Sequence, residues 1–323
     1  MKLKCRIFTV FVSVATLALC ALPVNAQYPN KPVRVVVQFP AGGAADTITR
    51  VIAQPLAQAL GQPVVVENRP GADGAIAADV VMKSAPDGYT LFMATSSAMS
   101  AVPAMRKTPP YDPVTAFTPI TKVGTFSYFL FTHPAVPAKN VLELIDYIRA
   151  NPGKVNYAGA TTTGIMAAVQ LASFAKLEME RIPYKGEGAA TIDLLSGRVQ
   201  LMFATPTNAL GPAKDGKLRV LATLLPQRSA MAPDAPTMAE AGAPKLSIVP
   251  WAGFFGPAKL PADIVARLNR ELTAILKRPE VREQIERQAF DVQGSTPEEL
   301  AEYTKEQVEV WKTAVRDSGM VLE

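Results

Sequence analysis

Two loops of glycine and other small residues carry the groups in this sequence that are best suited to hold a ligand. The first, Phe39–Asp46, reads FPAGGAAD, and the second, Ala158–Gly164, reads AGATTTG. Each follows a predicted strand and opens a predicted helix, where amides without intrahelical acceptors lie at the positive end of the helix dipole. Such amides bind carboxylate or phosphate without a cationic side chain. The alternative for the first loop is an ordinary tight turn, and the alternative for the second is a threonine N-cap. The presence of two such loops favours a ligand held between them.

A third polar turn, Thr95-Ser96-Ser97, follows the third predicted strand and forms either a surface turn or a wall of the same site. The chain has one histidine, His133, cysteines only at positions 5 and 20, and no G-x-S-x-G motif. This excludes the common zinc sets and leaves no nucleophile–base pair in view. Gly211–Leu218 nearly fits a phosphate-binding loop, but it lacks the Ser/Thr and leads into a predicted strand. No catalytic residue, metal site or cofactor is therefore predicted.

The elements around these loops alternate between strand and helix, which is typical of an α/β domain with a parallel sheet. Val33–Phe39 is a nearly continuous apolar run, as in a strand buried on both faces. From Ala44 to Leu60 apolar residues recur at helical spacing, and Pro55 predicts a kink or a break there. The pattern restarts after the long β-prone stretch Ile120–Thr132. Two such units in 323 residues predict two lobes with a cleft between them.

The first 26 residues read as a cleaved secretory signal peptide, with a basic start, an apolar stretch and small residues up to Ala26. An uncleaved anchor, or lipid attachment at Cys20, are the alternatives. Removing the three basic residues of this segment lowers the basic count from 33 to 30, against 28 acidic residues, a net charge of +2. That balance resembles no nucleic-acid footprint. We expect an exported protein without cysteine.

The chain resembles the Bug/TctC-type extracytoplasmic solute receptors of tripartite tricarboxylate transporters, from Tyr28 almost to its C-terminus. The matching motifs are Tyr28-Pro29, Phe39–Asp46, Gly61–Arg69, Pro86–Thr90, Phe117–Ile120, Asn151–Lys154, Ile182–Gly186, Gly216–Arg219, Ala235–Thr237, Ala239–Gly242 and Trp251.

The resemblance implies a type II periplasmic-binding-protein fold, an α/β architecture whose crossover strands join two lobes around a ligand cleft. We place lobe 1 at residues 27–126 plus 252–323 and lobe 2 at residues 127–251. The implied function is that of a periplasmic receptor, not an enzyme, which binds a small carboxylic acid and delivers it to the permease subunits of such a transporter. No cofactor, metal or nucleic acid is implied, and we expect a monomer. A ligand-sensing module for a signalling partner and an exported enzyme of a carboxylated substrate are the alternatives.

The resemblance also assigns the ligand to the loops singled out above. The implied ligand-binding residues are Phe39, Gly43, Ala44, Ala45, Asp46, Thr95, Ser96, Ser97, Ala160, Thr161, Thr162, Thr163 and Thr205. This chain departs from the family pattern in lacking histidine in the second and third loops and in placing Ala204-Thr205 where Asp or Asn is common. We therefore expect a less polar site than usual and a ligand with an apolar or aromatic portion.

Overall fold

The computed structural model describes residues 28–243, 246 and 248–319, so the predicted signal peptide lies outside the described residues. The strands of this part are β1 (Val33–Val37), β2 (Val64–Asn68), β3 (Thr90–Thr95), β4 (Phe117–Phe126), β5 (Phe129–Thr132), β6 (Asn156–Gly159), β7 (Glu180–Pro183), β8 (Leu201–Ala204), β9 (Arg219–Thr223), β10 (Trp251–Pro257) and β11 (Phe290–Val292).

These strands form two separate sheets. The first has six strands in the order β11-β4-β10-β3-β1-β2, and the second has five in the order β7-β6-β8-β5-β9. Strand β1 pairs in parallel with β2 and β3, and β6 pairs in parallel with β7 and β8. In each sheet an antiparallel strand, β10 or β5, lies beside the parallel set. The result is an α/β fold with two sheets, as expected.

The helices cover these sheets. They are α1 (Ala44–Leu60), α2 (Ala75–Met82), α3 (Val102–Met105), α4 (Pro113–Ala116), α5 (Val141–Ala150), α6 (Thr162–Ala175), α7 (Glu187–Leu195), α8 (Leu210–Lys214), α9 (Ala262–Leu276), α10 (Pro279–Glu286) and α11 (Pro297–Ser318). A π-helical turn, Ser97–Ala101, precedes α3. Within the described residues, no helix combines the length and the apolar character that a membrane span requires.

Burial on both faces explains the apolar run of β1. Val33, Val35 and Val37 belong to the core on one side of the first sheet, together with residues of α1 and α9. Val36 lies in the core on the other side. Each fully buried aliphatic side chain of this kind contributes about 1.5–3 kcal/mol to stability.

The two sheets are joined by a small apolar cluster. Met166 of α6, beside the second sheet, packs with Ala101, Ala104 and Trp311, which belong to elements around the first sheet. Trp311 is fully buried, on the long C-terminal helix α11. The helical elements around the two sheets thus contact each other through this cluster.

Pro55 does not break helix α1, because Ile48, Ile52 and Leu56 are fully buried against the sheet and hold the helix there. The β-prone stretch Ile120–Thr132 divides into β4 and β5, which belong to different sheets. Sheet membership changes again between β9 and β10. The exact lobe boundaries remain a prediction.

Candidate functional site

The loop between β1 and α1 is held in place by the carboxylate of Asp46. Gly42 adopts a φ of +83°, which favours glycine, and its amide donates to Asp46 Oδ2 at 2.9 Å. Asn68 Nδ2 donates to Asp46 Oδ1 at 2.9 Å, and Arg50 Nε donates to Oδ2 at 3.0 Å. Burial alone would raise the pKa of Asp46, but these hydrogen bonds outweigh it and the pKa lies below its usual value. The carboxylate fixes the turn while the loop itself remains exposed.

The N-terminus of α1 offers free backbone donors beside this turn. Gly43 is the N-cap residue, and no side chain in the described ranges caps the helix. The first intrahelical hydrogen bond comes from the amide of Thr47, at 2.9 Å from the Gly43 oxygen. The amides of Ala44 and Ala45 therefore lie ahead of the helical ladder, at the positive end of the dipole. Phe39 is partly buried and packs against the core of the first sheet.

At the end of β3, Thr95 has a buried hydroxyl without a partner. Its side chain is 4% exposed, and Oγ1 makes no hydrogen bond to any described residue. The Thr95 amide is occupied, because it donates to Gln38 Oε1 at 3.1 Å. Gln38 Nε2 in turn donates to the carbonyl of Asp73 at 3.4 Å, so this glutamine ties the ends of β1 and β3 together. Ser96 and Ser97 are also buried at the start of the π-helical turn.

The loop between β6 and α6 repeats this arrangement in the other sheet. Thr161 is the N-cap residue of α6, and its Oγ1 accepts from the amide of Gly164 at 3.1 Å. Thr162 and Thr163 follow it and are each 3% exposed. The Thr162 hydroxyl has no hydrogen-bond partner among the described residues. A buried hydroxyl left without a partner costs about 1–3 kcal/mol, which a bound polar group would offset.

A partly buried polar network, which includes the fully buried Tyr128, holds the second loop in place. The hydroxyl of Tyr128 is hydrogen-bonded to Thr161 Oγ1, and it donates to Glu187 Oε1 at 3.0 Å. Glu187 also accepts from the amide of Thr205 at 3.2 Å and from the Thr205 hydroxyl. Burial raises the pKa of Glu187 above its usual value, although the hydrogen bonds from Thr205 and Tyr128 oppose the shift. Burial and the Glu187 charge raise the pKa of Tyr128 as well.

A cavity of ≈ 190 Å³ lies between the elements of the two sheets. One wall comes from the segments that follow β2 and β3, and the other from the ends of β6 and β7 and the start of α6. It is smaller than the roughly 300–1,000 Å³ typical of sites for drug-sized ligands and suits a small metabolite. Its lining residues are Asp73, Val102, Met105, Arg106, Gly159, Ala160, Thr161, Thr162, Ile165, Arg181, Pro183 and Tyr184.

The cavity brings together only part of the predicted site. Ala160, Thr161 and Thr162 line it. The predicted residues that do not line it are Phe39, Gly43–Asp46, Thr95–Ser97, Thr163 and Thr205. Asp46, Thr161 and Thr205 already have partners within the protein, as described above. The role of all these residues in ligand binding remains a prediction.

Several functional groups escaped the sequence analysis. The sequence does mark Gln38, because it is the polar residue near the end of the apolar run Val33–Phe39. Tyr128 and Glu187 are separated by 59 residues, and no spacing predicts their contact. Arg106 and Arg181 reach the cavity from opposite sides and had no signal either.

Comparison with known proteins identifies close relatives. Residues 48–320 match the family model for the tripartite tricarboxylate transporter family receptor. Protein BugT of Bordetella pertussis is 36% identical over 97% of this chain and 97% of its own length. An uncharacterised-family protein (UPF0065) of a Pseudomonas strain is 32% identical over 89% of this chain and 86% of its own length.

Solved structures agree over nearly the whole chain. The periplasmic binding protein BugD has a TM-score of 0.82 and 32% identity, covering 91% of this chain and 99% of its own. A Rhodopseudomonas palustris protein with bound malate has a TM-score of 0.81 and 31% identity, covering 89% of this chain and 100% of its own. A second R. palustris protein, with adipate, has a TM-score of 0.84 and 28% identity, covering 90% and 98% of the two chains.

Proposed function

This chain belongs to the receptor family of the tripartite tricarboxylate transporters, and on that basis we propose that it is a periplasmic receptor for a small carboxylic acid. The acid binds in the cleft between the two lobes and is delivered to the membrane subunits of such a transporter. Relatives with TM-scores of 0.84 and 0.81 hold adipate and malate, which supports a carboxylate as the ligand here.

The observation that carries this proposal is a pair of hydroxyls, Thr95 Oγ1 and Thr162 Oγ1, that have no partner among the described residues. Thr95 ends β3 of the first sheet, Thr162 begins α6 beside the second sheet, and both are almost fully buried. A carboxylate accepts hydrogen bonds from such hydroxyls and from the amides of Ala44 and Ala45 ahead of α1. Water is excluded when the cleft is filled, and the same hydrogen bonds then stabilise the anion more strongly than they would in bulk water.

We infer that the protein is exported to the periplasm, that residues 1–26 are removed in the process, and that the mature protein acts as a monomer. We also infer that it releases its ligand unchanged, as a receptor does, instead of catalysing a reaction. The membrane permease supplies the partner to which the closed, liganded form binds. This form arises by hinge closure of two lobes around the ligand.

The test is a thermal-shift screen of the protein, produced from the full-length chain, then unfolded and refolded to remove any ligand carried through purification. The panel contains aliphatic, amino and aromatic carboxylic acids, each beside its primary amide as a matched uncharged control. An acid at 100 times its Kd adds about 2.7 kcal/mol of stability, and the amide adds little. The proposal fails if no acid raises Tm, or if the amides raise it equally. Recovery of the bound acid with an altered mass would instead favour an enzyme.

A further inference from the structure

Two arginines line the cavity from opposite sides. Arg106 follows α3 and belongs to the elements around the first sheet, whereas Arg181 lies on β7 of the second sheet. Among the described residues that line this cavity, Asp73 is the only acidic one. The charged side chains around the cavity therefore carry a net positive charge, close to the unpartnered hydroxyl of Thr162.

Neither arginine is engaged elsewhere in the described part of the chain. No ion pair or side-chain hydrogen bond there includes Arg106 or Arg181, although Arg34, Arg50 and Arg282 each pair with a carboxylate. Arg106 is half-buried and Arg181 is exposed. A guanidinium group without a carboxylate partner, beside a cavity, remains free to form a two-pronged contact with an anion.

Gly159 makes room for Arg181. A Cβ atom at Gly159 would lie 2.8 Å from Cγ and 2.9 Å from Cδ of Arg181, closer than side chains allow. The stem of the arginine therefore lies across the end of β6, directly before the loop Ala160–Thr163. This places the side chain beside the predicted carboxylate site, and any larger residue at 159 would displace it.

We propose that Arg106 and Arg181 form a second anion subsite that selects ligands with two carboxylates. In this arrangement the first carboxylate of the ligand accepts a hydrogen bond from the hydroxyl of Thr162, which lines the same cavity. The second carboxylate lies between the guanidinium groups of Arg106 and Arg181, one from each lobe. When the cleft closes, this carboxylate links the two lobes. The inference rests on the proposed function, because it concerns the same site and names the ligand class.

The expected size of the effect follows from the chemistry of the pair. A charge-assisted hydrogen bond that is removed from a filled cleft changes affinity by roughly ten- to 100-fold. The contribution is small for an arginine that stays in contact with water and grows as the ligand displaces that water. The half-buried Arg106 should therefore contribute more than the exposed Arg181.

Isothermal titration of the protein produced from the full-length chain tests this inference. The ligands are straight-chain diacids from malonate to suberate, each compared with its monomethyl ester, which keeps the length and removes one charge. The variants are Arg106→Gln and Arg181→Gln, with Arg106→Lys and Arg181→Lys to separate charge from two-pronged geometry. Arg270→Gln is the matched control, because Arg270 is exposed on α9 and pairs with Glu271.

We expect the unaltered protein to prefer at least one diacid over its ester by about tenfold or more. Either glutamine variant should reduce that preference several-fold and leave the affinity for the ester unchanged, and Arg270→Gln should change neither. The inference is overturned if ester and diacid bind equally, if both variants keep the preference, or if they weaken ester and diacid alike. It is also overturned if no diacid binds, and a monocarboxylate found in the thermal-shift screen would then leave the proposed function standing.

Discussion

Replacing Thr162 by valine should stabilise the ligand-free protein and weaken its binding of carboxylic acids at the same time. The Thr162 side chain is 3% exposed, and its hydroxyl has no partner among the described residues. Valine has nearly the same shape but no polar atom that must be buried. Since a buried, unpartnered hydroxyl costs about 1–3 kcal/mol, the free energy of unfolding should rise by roughly 1 kcal/mol.

The loss of affinity has a separate origin. If the Thr162 hydroxyl donates to the ligand carboxylate, its removal takes away a hydrogen bond to a charged group, worth about 1.5–3 kcal/mol. The Kd should therefore rise by roughly ten- to 100-fold. Urea denaturation of the refolded, ligand-free protein measures the first effect. Isothermal titration with the tightest-binding acid of the screen measures the second.

Thr132 supplies a matched control for this experiment. Its hydroxyl is likewise buried without a partner in the described residues, but it pairs in register with Leu201, at the end of β8 away from the cleft. Thr132→Val should therefore raise stability by a similar amount and leave the Kd unchanged. The reasoning would be refuted by a Thr162→Val variant that binds the acid as tightly as the unaltered protein. A loss of stability in both valine variants would refute the account of the buried hydroxyls.

Three further outcomes are expected. Ala44→Pro should keep the fold, because Gly43 has the extended conformation that a residue before proline requires (φ −76°, ψ 164°). The variant lacks one amide donor, so isothermal titration should show acid binding about tenfold weaker. Burial raises the pKa of Glu187, so ionisation of this residue opposes folding. As the pH rises above 4.5, the unaltered protein should therefore lose stability that Glu187→Gln keeps, and urea denaturation at several pH values should show it; a stability difference that stays constant with pH would contradict this. Gly124→Ala should lower the free energy of unfolding, measured by thermal unfolding, by about 3 kcal/mol or more, because φ is +151° and a Cβ atom would collide with the Asp291 carbonyl. Gly188→Ala is the control: the space around Gly188 is open, so this variant should be neutral or slightly stabilising.

Local pattern was sufficient to predict the elements that carry the site. The apolar run of β1 and the glycine that ends α1 are short-range signals, and Gly61 has the expected left-handed conformation, with φ 68°. Pro55 does not break the helix because its cost is local, whereas the burial of Ile48, Ile52 and Leu56 that holds the helix depends on the sheet beneath. The stretch Ile120–Thr132 is β-structured as predicted, but its division between two sheets has no local signal. Strand propensity does not indicate which sheet a residue joins.

The groups that complete the site depend on distant contacts, which a single sequence does not reveal. Tyr128 reaches Glu187 across 59 residues. Arg106 and Arg181 line one cavity although they come from elements of two different sheets, which no local pattern predicts. The expectation of a less polar site considered only the loops themselves. It did not include Glu187, whose carboxylate accepts hydrogen bonds from the amide and the hydroxyl of Thr205.

Each of the two loops is held in place by hydrogen bonds within the protein, but different side chains make them. We expect these contacts to affect the affinity for acids in general and not the selection among acids. Asp46 fixes the first loop by accepting from the amide of Gly42, and Thr161, supported by Tyr128, fixes the second. These contacts are internal, so they hold the donors in place without distinguishing one acid from another. Variants at Ala44 or Thr162 should therefore weaken all acids by a similar factor. We expect selection among acids from the two guanidinium groups, which carry charge at the cavity and pair with no carboxylate in the described part of the chain, so a change at Arg181 should alter the order in which acids bind.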